Sequence, residues 1–203
     1  MHSLTMRKRG VLIALEGIDG AGKTTHALLL AEWLKGKGYK VIVTSEPTES
    51  SIGKLIRTKL AEKASHPAVM TLLFAADRVD HFEKLKPFIK NGAIIILDRY
   101  TESSICYQAA EGLNMEWIET VNKWVPKPDL TVLLDVDVRI ALQRIKEKKR
   151  EKYEEQEFLA LVRKNYLKRA EEKGYLIIDS SLPLKEVQEK LRKVVASFLE
   201  KNV

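Results

Sequence analysis

The stretch Val11-Leu12-Ile13-Ala14-Leu15-Glu16-Gly17-Ile18-Asp19-Gly20-Ala21-Gly22-Lys23-Thr24-Thr25 decides how the rest of the chain is read. Gly17 to Thr24 fits the pattern G-x-x-x-x-G-K-[ST], and it stands in the context that gives that pattern meaning. Val11 to Leu15 is a short apolar run of the buried-strand type. Thr25 to Lys35 places Ala27, Leu28, Leu30, Ala31 and Leu34 at helical spacing. Glycines between such a strand and such a helix let the backbone turn tightly, so that successive N–H groups converge on phosphate oxygens. The start of the helix adds its positive end. The residues predicted to hold a nucleoside triphosphate are Gly17, Ile18, Asp19, Gly20, Ala21, Gly22, Lys23, Thr24 and Thr25. Lys23 reaches the β- and γ-phosphates, and the Thr24 hydroxyl holds Mg²⁺. Asp19 is the odd member, a carboxylate beside a site built for like charge. It is either a turn residue or a group aimed at the hydroxyl of a second ligand.

Strand and helix signals alternate from this point to the end. Strands are predicted at Lys40 to Thr44, Ala93 to Leu97, Leu130 to Asp135 and Tyr175 to Ile178. Helices are predicted at Ser51 to Ala61, Pro67 to about Lys90, Glu102 to Glu111, Glu116 to Trp124, Val138 to Lys149, Glu157 to Lys173 and Leu184 to Glu200. The last of these turns Val187, Leu191, Val194, Val195 and Phe198 inward. Continuously apolar strands separated by helices indicate an α/β fold, a five-stranded parallel sheet covered by helices on both faces. No repeat or linker divides the 203 residues, so residues 1–203 read as one domain.

Composition narrows the partners. The formal charge of +7 suits anionic ligands or a lysine-rich solvated surface. No basic stretch is interleaved with aromatics in the manner of a stacking groove, so no nucleic-acid partner is expected. Cys106 is the only cysteine, which excludes an intrachain disulfide and fits a reducing compartment. It is expected in a buried helix position. No apolar run approaches the ~20 residues of a membrane span, and the expected location is the cytoplasm.

Four further constellations carry chemistry. Asp98 and Arg99 end the strongest strand, where ligands of open α/β sheets sit. Asp98 is placed to hold Mg²⁺, and Arg99 to fork across phosphate oxygens. The alternative is an ion pair between the two. Phe74 and Arg78 share a helix face four residues apart, so that a flat ring could stack on one while the other bonds its edge. Phe74 as ordinary core is the competing reading. Ser103, Ser104, Tyr107 and Gln108 form i,i+4 pairs on the helix after Arg99, and read either as a second pocket or as a polar helix surface. Finally, Arg144 to Lys152 is too charged to pack. It is a solvated face or a short basic lid, approximately 144–155, closing over a triphosphate.

Leu15-Glu16-Gly17-Ile18-Asp19-Gly20-Ala21-Gly22-Lys23-Thr24, Glu46-Pro47, Leu73-Phe74-Ala75-Ala76-Asp77-Arg78, Asp98-Arg99-Tyr100 and Pro128-Asp129-Leu130, in this order, resemble the thymidylate kinase family. The resemblance spans nearly the whole chain. It implies a three-layer P-loop kinase fold, transfer of phosphoryl from ATP to dTMP with Mg²⁺, and a homodimer. It further implies that Phe74 stacks on thymine, that Arg78 bonds the base edge and that Arg57 joins Arg99 on the dTMP phosphate. Ser103, Ser104 and Gln108 would line the base pocket, Tyr107 would crowd the sugar C2′ position, Glu46 would sit near sugar and phosphate, and Asp19 would meet the 3′-hydroxyl. The chain departs from the bacterial Arg-Glu-Pro-Gly-Gly at Ser45-Glu46-Pro47-Thr48-Glu49. Its Gly20 resembles the branch whose catalytic cation comes from the lid, and Arg150 is the expected residue because it can fork across two oxygens.

The rival readings are a P-loop kinase for another acceptor, a nucleotide-switch GTPase and a nucleotide-dependent DNA-binding ATPase. No N-K-x-D guanine signature appears, and the only D-x-x-G match lies inside the loop itself. No second domain is available for DNA.

Overall fold

The structure is a computed structural model that describes residues 10–62, 65–145 and 152–202. The order of elements is β1 (Val11–Glu16), α1 (Lys23–Gly36), β2 (Val41–Ser45), α2 (Ser51–Glu62), α3 (Pro67–Lys90), β3 (Ile94–Asp98), α4 (Thr101–Ala110), α5 (Met115–Val121), β4 (Leu130–Asp135), α6 (Val138–Arg144), α7 (Lys152–Lys173), β5 (Leu176–Asp179) and α8 (Leu184–Asn202). The five strands form one sheet in the order β2-β3-β1-β4-β5. All four pairings are parallel.

The apolar strands explain the layering. Successive side chains of a strand point to opposite faces, and both faces are covered. Val11, Ile13 and Leu15 of β1 with Ile94 and Ile96 of β3 join residues of α1, α7 and α8 in one cluster. Leu12 and Ala14 with Ile95 and Leu97 join Leu85 and Ile89 of α3 in the other. Because every strand runs the same way, the carboxyl ends of β1, β2 and β3 meet at one edge. There Leu15 and Ser45 are both in register with Asp98. The phosphate-loop sequence, Glu46 and Arg99 all leave the sheet at this edge, beside β1, where the connections diverge to either side.

Local signals place most boundaries. His66 accepts from Ala68 N–H at 3.1 Å to start α3, and Asn91 with left-handed Gly92 (φ 77) ends it. Cys106 is buried, as expected. Three details differ. Leu28 is 52% exposed, and His26 takes the inward place on α1. The helix predicted over 116–124 is Met115–Val121, started by the Asn114 side chain, which accepts from Trp117 N–H. The helix predicted from Val138 to Lys149 closes at Arg144. Ile145 leaves helical geometry (ψ 82), while the Arg144 guanidinium turns back across the sheet edge.

Candidate active site

The loop after β1 is shaped by its glycines. Gly17 has φ 145 and Gly20 has φ 79, a region that side chains other than hydrogen rarely adopt. A Cβ at Gly20 would also lie 2.3 Å from the Ala141 carbonyl oxygen of α6. A side chain there would require the α6 backbone to shift. The loop delivers Gly22, in left-handed conformation, as the residue before α1, with no side chain capping that helix. The first N–H groups of α1 are therefore left without a side-chain cap.

Lys23 is 6% exposed. Its Nζ donates to the carbonyls of Gly17 (3.0 Å) and Ile18 (2.8 Å), so it lies along the loop. Burial first, and then the neighbouring Arg99, push the ammonium down to about 7, against the pull of Asp19, Asp98 and Glu16. A polyanion in the loop favours the charged form and acts against that shift. Thr24 donates its hydroxyl to Asp98 Oδ2. Two hard oxygens from α1 and β3 thus meet at the loop.

Arg99 and Asp19 form a second junction. Arg99 Nη2 lies 2.5 Å from Asp19 Oδ1. The Tyr107 hydroxyl donates to Asp19 Oδ2 at 2.9 Å and accepts from the Asp19 N–H at 3.0 Å. Burial alone would raise the Asp19 carboxyl, but Arg99, Lys23 and Tyr107 outweigh it and hold the group below the usual carboxylate range. Arg99 also donates to Ser103 Oγ at 3.3 Å, and its guanidinium sits 5.1 Å from the Tyr107 ring centre.

These groups surround an open cavity of about 570 Å³. Lys23, Arg57, Arg99 and Arg144 line it, as do Asp19, Glu46, Glu49 and Asp98. Arg57 donates to the Pro47 carbonyl (3.0 Å) and to Glu49 (2.9 Å). Arg144 donates to the carbonyls of Ser180 (2.9 Å) and Gly20 (3.4 Å), spanning the loop and the end of β5. The departures from the bacterial segment have partners. Thr48 donates its hydroxyl to Asp77 at 2.6 Å, and Glu49 pairs with Arg57.

The residues expected around the base sit deeper, outside that lining. Arg78 is 1% exposed. Its Nε donates to Glu46 at 2.6 Å; its other nitrogens serve Asn122, Ser104 and the Tyr100 carbonyl. His81 approaches the other Glu46 oxygen at 3.3 Å and Thr44 at 2.8 Å. Phe74 is half-buried one turn before Arg78. Gln108 is buried and its Nε2 donates to Glu111 at 3.3 Å. The Gln108 Oε1 has no hydrogen-bond partner among the described residues. Arg150 lies outside the described residues, as does most of the basic run.

The chain matches the family model described as "Thymidylate kinase" over residues 15–191. The chain belongs to the thymidylate kinase family. A "Probable thymidylate kinase" from Archaeoglobus fulgidus is 46% identical over 192 residues, which cover 93% of this chain and 96% of that protein. One from Pyrococcus horikoshii is 51% identical over 146 residues, 68% and 71% of the two chains. One from Pyrobaculum calidifontis is 46% identical over 180 residues, 87% and 91%. The five-stranded parallel sheet flanked by helices is the three-layer P-loop kinase fold of that family. The match begins at Leu15, the point where β1 meets the loop.

Sequence reasoning passed over several residues at this thymidylate kinase edge. Glu16 carries a signal of its own, an acid ending a buried strand beside a phosphate loop. Arg144, the other arginine of the basic run beside Arg150, reaches the loop. Asn122 and Tyr166 carry no signal in the sequence, because only the fold brings them to this edge.

Proposed function

We propose that this protein transfers the γ-phosphoryl group of ATP to dTMP, with Mg²⁺, giving ADP and dTDP. The observation that carries the reading is Asp19, a phosphate-loop residue whose carboxylate is held by both Arg99 and Tyr107. It stands where a donor site and an acceptor site would touch.

The roles follow from charge and position. The loop N–H groups and Lys23 hold the β- and γ-phosphates. Thr24 and Asp98 fit a Mg²⁺ site, since that ion takes one or two protein oxygens and completes its shell with phosphate and water. When bound, the metal would supply positive charge that offsets the charge on the phosphates. Arg99 and Arg57 orient the acceptor phosphate. That group is largely dianionic near pH 7, so its oxygen attacks without a general base. Catalysis then reduces to alignment and charge neutralisation. Arg150, or Arg144 at the foot of the lid, closes over the transferring group.

For the base, Phe74 stacks on the ring, Arg78 is fixed by Glu46 beside it, and Gln108 Oε1 accepts from the imide N–H. Ser103 and Ser104 border the same pocket. Asp19 meets the 3′-hydroxyl and Tyr107 packs against C2′. In this reading the acceptor phosphate displaces Glu49 from Arg57. That exchange is cheap, because an exposed ion pair is worth only about 0–1 kcal/mol. The reading carries with it a cytoplasmic homodimer. Among the described residues no helix is long and apolar enough to cross a membrane.

Incubation with ATP, dTMP and Mg²⁺ should give equimolar dTDP and ADP, resolved by anion-exchange chromatography. Excess EDTA should stop the reaction and added Mg²⁺ restore it. Undiminished turnover in EDTA would contradict the metal site, and no dTDP with Mg²⁺ present would contradict the reaction.

A further inference from the structure

Arg99 is the one described residue other than glycine with positive φ, at 74°. An L-residue holds that conformation only when its surroundings impose it. Both peptide groups that flank Arg99 are tied to the last two residues of β1. The Arg99 N–H donates to the Leu15 carbonyl at 3.1 Å. The Tyr100 N–H donates to Glu16 Oε1 at 2.8 Å. The second is a side-chain contact, and Glu16 is the residue directly before Gly17.

Glu16 is 1% exposed, and its other oxygen is also committed. Ser103 donates to Glu16 Oε2 at 2.6 Å, and the Tyr166 hydroxyl at 3.1 Å. Ser103 and Tyr166 lie 2.9 Å from each other. Ser103 in turn receives Arg99 Nη1. One carboxylate therefore fixes the Arg99 backbone from one oxygen and a partner of its guanidinium from the other. It adds an anchor from α7, the helix that follows the basic run. A buried carboxylate is costly unless its acceptor sites are filled, and here three donors from β3–α4 and α7 fill them.

We propose that Glu16 is a positioning residue for phosphoryl transfer, setting the distance and angle between the phosphate loop and the Arg99 guanidinium. The inference rests on the reading of Arg99 as the acceptor-phosphate ligand. Glu16 touches neither nucleotide. It acts by keeping Arg99 in a left-handed turn that the residue would otherwise leave.

The test is a double-mutant cycle on the full-length protein with ATP and dTMP, using E16Q, R99A and E16Q/R99A. E16Q keeps the shape but replaces one acceptor with a donor. It should lower kcat at saturating dTMP about tenfold, short of the ~10²-fold that an ångström of misplacement can cost. ATP affinity, measured by equilibrium titration, should be unchanged. The double variant should be no slower than R99A alone, because residues that act as a unit are not additive. Full additivity would overturn the proposal, as would an unchanged kcat in E16Q. R99A with wild-type kinetics would instead refute the Arg99 reading itself. Tyr166→Phe removes one contact to Glu16 from a different helix without shortening Arg99 or the loop. It should show the same kcat-selective loss at about two- to fivefold. A rise in KM for ATP, or no effect at all, would overturn the relay through Glu16 even if E16Q failed to fold.

Discussion

Lys23→Ala should lower kcat by at least ~10³-fold, the scale on which a single cation at the transferring phosphoryl group acts. The side chain emerges at the first turn of α1, and among the described residues its Nζ donates to the carbonyls of Gly17 and Ile18. Those carbonyls belong to the loop that would wrap the triphosphate, so the ammonium is already at the right place and needs only to swing toward the γ-phosphate. Alanine removes the charge and leaves the backbone N–H groups intact. ATP binding should therefore weaken less than turnover falls, since the lysine does more for the transferring group than for the resting nucleotide. Folding should be nearly untouched. Burial disfavours the Lys23 ammonium, so its removal should shift Tm by no more than ~4 °C. The readouts are steady-state ADP release and a thermal melt of the same sample. A variant that retained a tenth of wild-type kcat would show that the loop holds its triphosphate in another way.

Arg99→Ala should lower kcat/KM for dTMP by about 10²–10³-fold, the range for losing one preorganised charged donor, and leave ATP affinity within a factor of a few. The guanidinium balances Asp19 at 2.5 Å. Its removal thus has two effects: the acceptor phosphate loses a forked partner, and the Asp19 carboxylate becomes an uncompensated negative charge facing that phosphate. Both act on the acceptor. The fold should survive, because alanine keeps the Cβ and meets the same left-handed backbone, already held by Leu15 and Glu16. Arg99→Lys should rescue little, since an ammonium cannot reproduce the fork that reaches Asp19, Ser103 and Tyr107 together. Equal losses for ATP and dTMP would assign Arg99 to the donor instead.

The sequence carried much of this because the decisive signals are local. A glycine pattern between an apolar strand and a helix dictates a backbone shape. The Asp98-Arg99 pair at the end of an apolar strand could be placed at the binding edge before any sheet order was known. Thr24 and Asp98, 74 residues apart, do meet there.

What stayed hidden depends on chain segments that only folding brings together. Tyr166 lies 150 residues from Glu16, and no spacing rule links them. Arg144 looked like one more lid charge until the end of α6 placed it against Gly20 and Ser180. Leu28 has the right spacing for the inner face of α1, but the inward place went to His26, whose carbonyl and ring receive Gln188 from α8. Arg78 was read as a face partner of Phe74. Its burial among Glu46, Asn122 and Ser104 follows from the packing of α3 against α4 and α5, which periodicity along one helix does not encode.

The central claim is that the cavity accepts a thymidine monophosphate. It is tested most directly by ADP release with ATP and Mg²⁺ across dTMP, dCMP, GMP and free thymidine at equal concentrations. Turnover of dTMP should stand well above that of the other three. Thymidine should fail because it brings no phosphate to Arg57 and Arg99. Equal rates on all four acceptors, or turnover of thymidine alone, would contradict it.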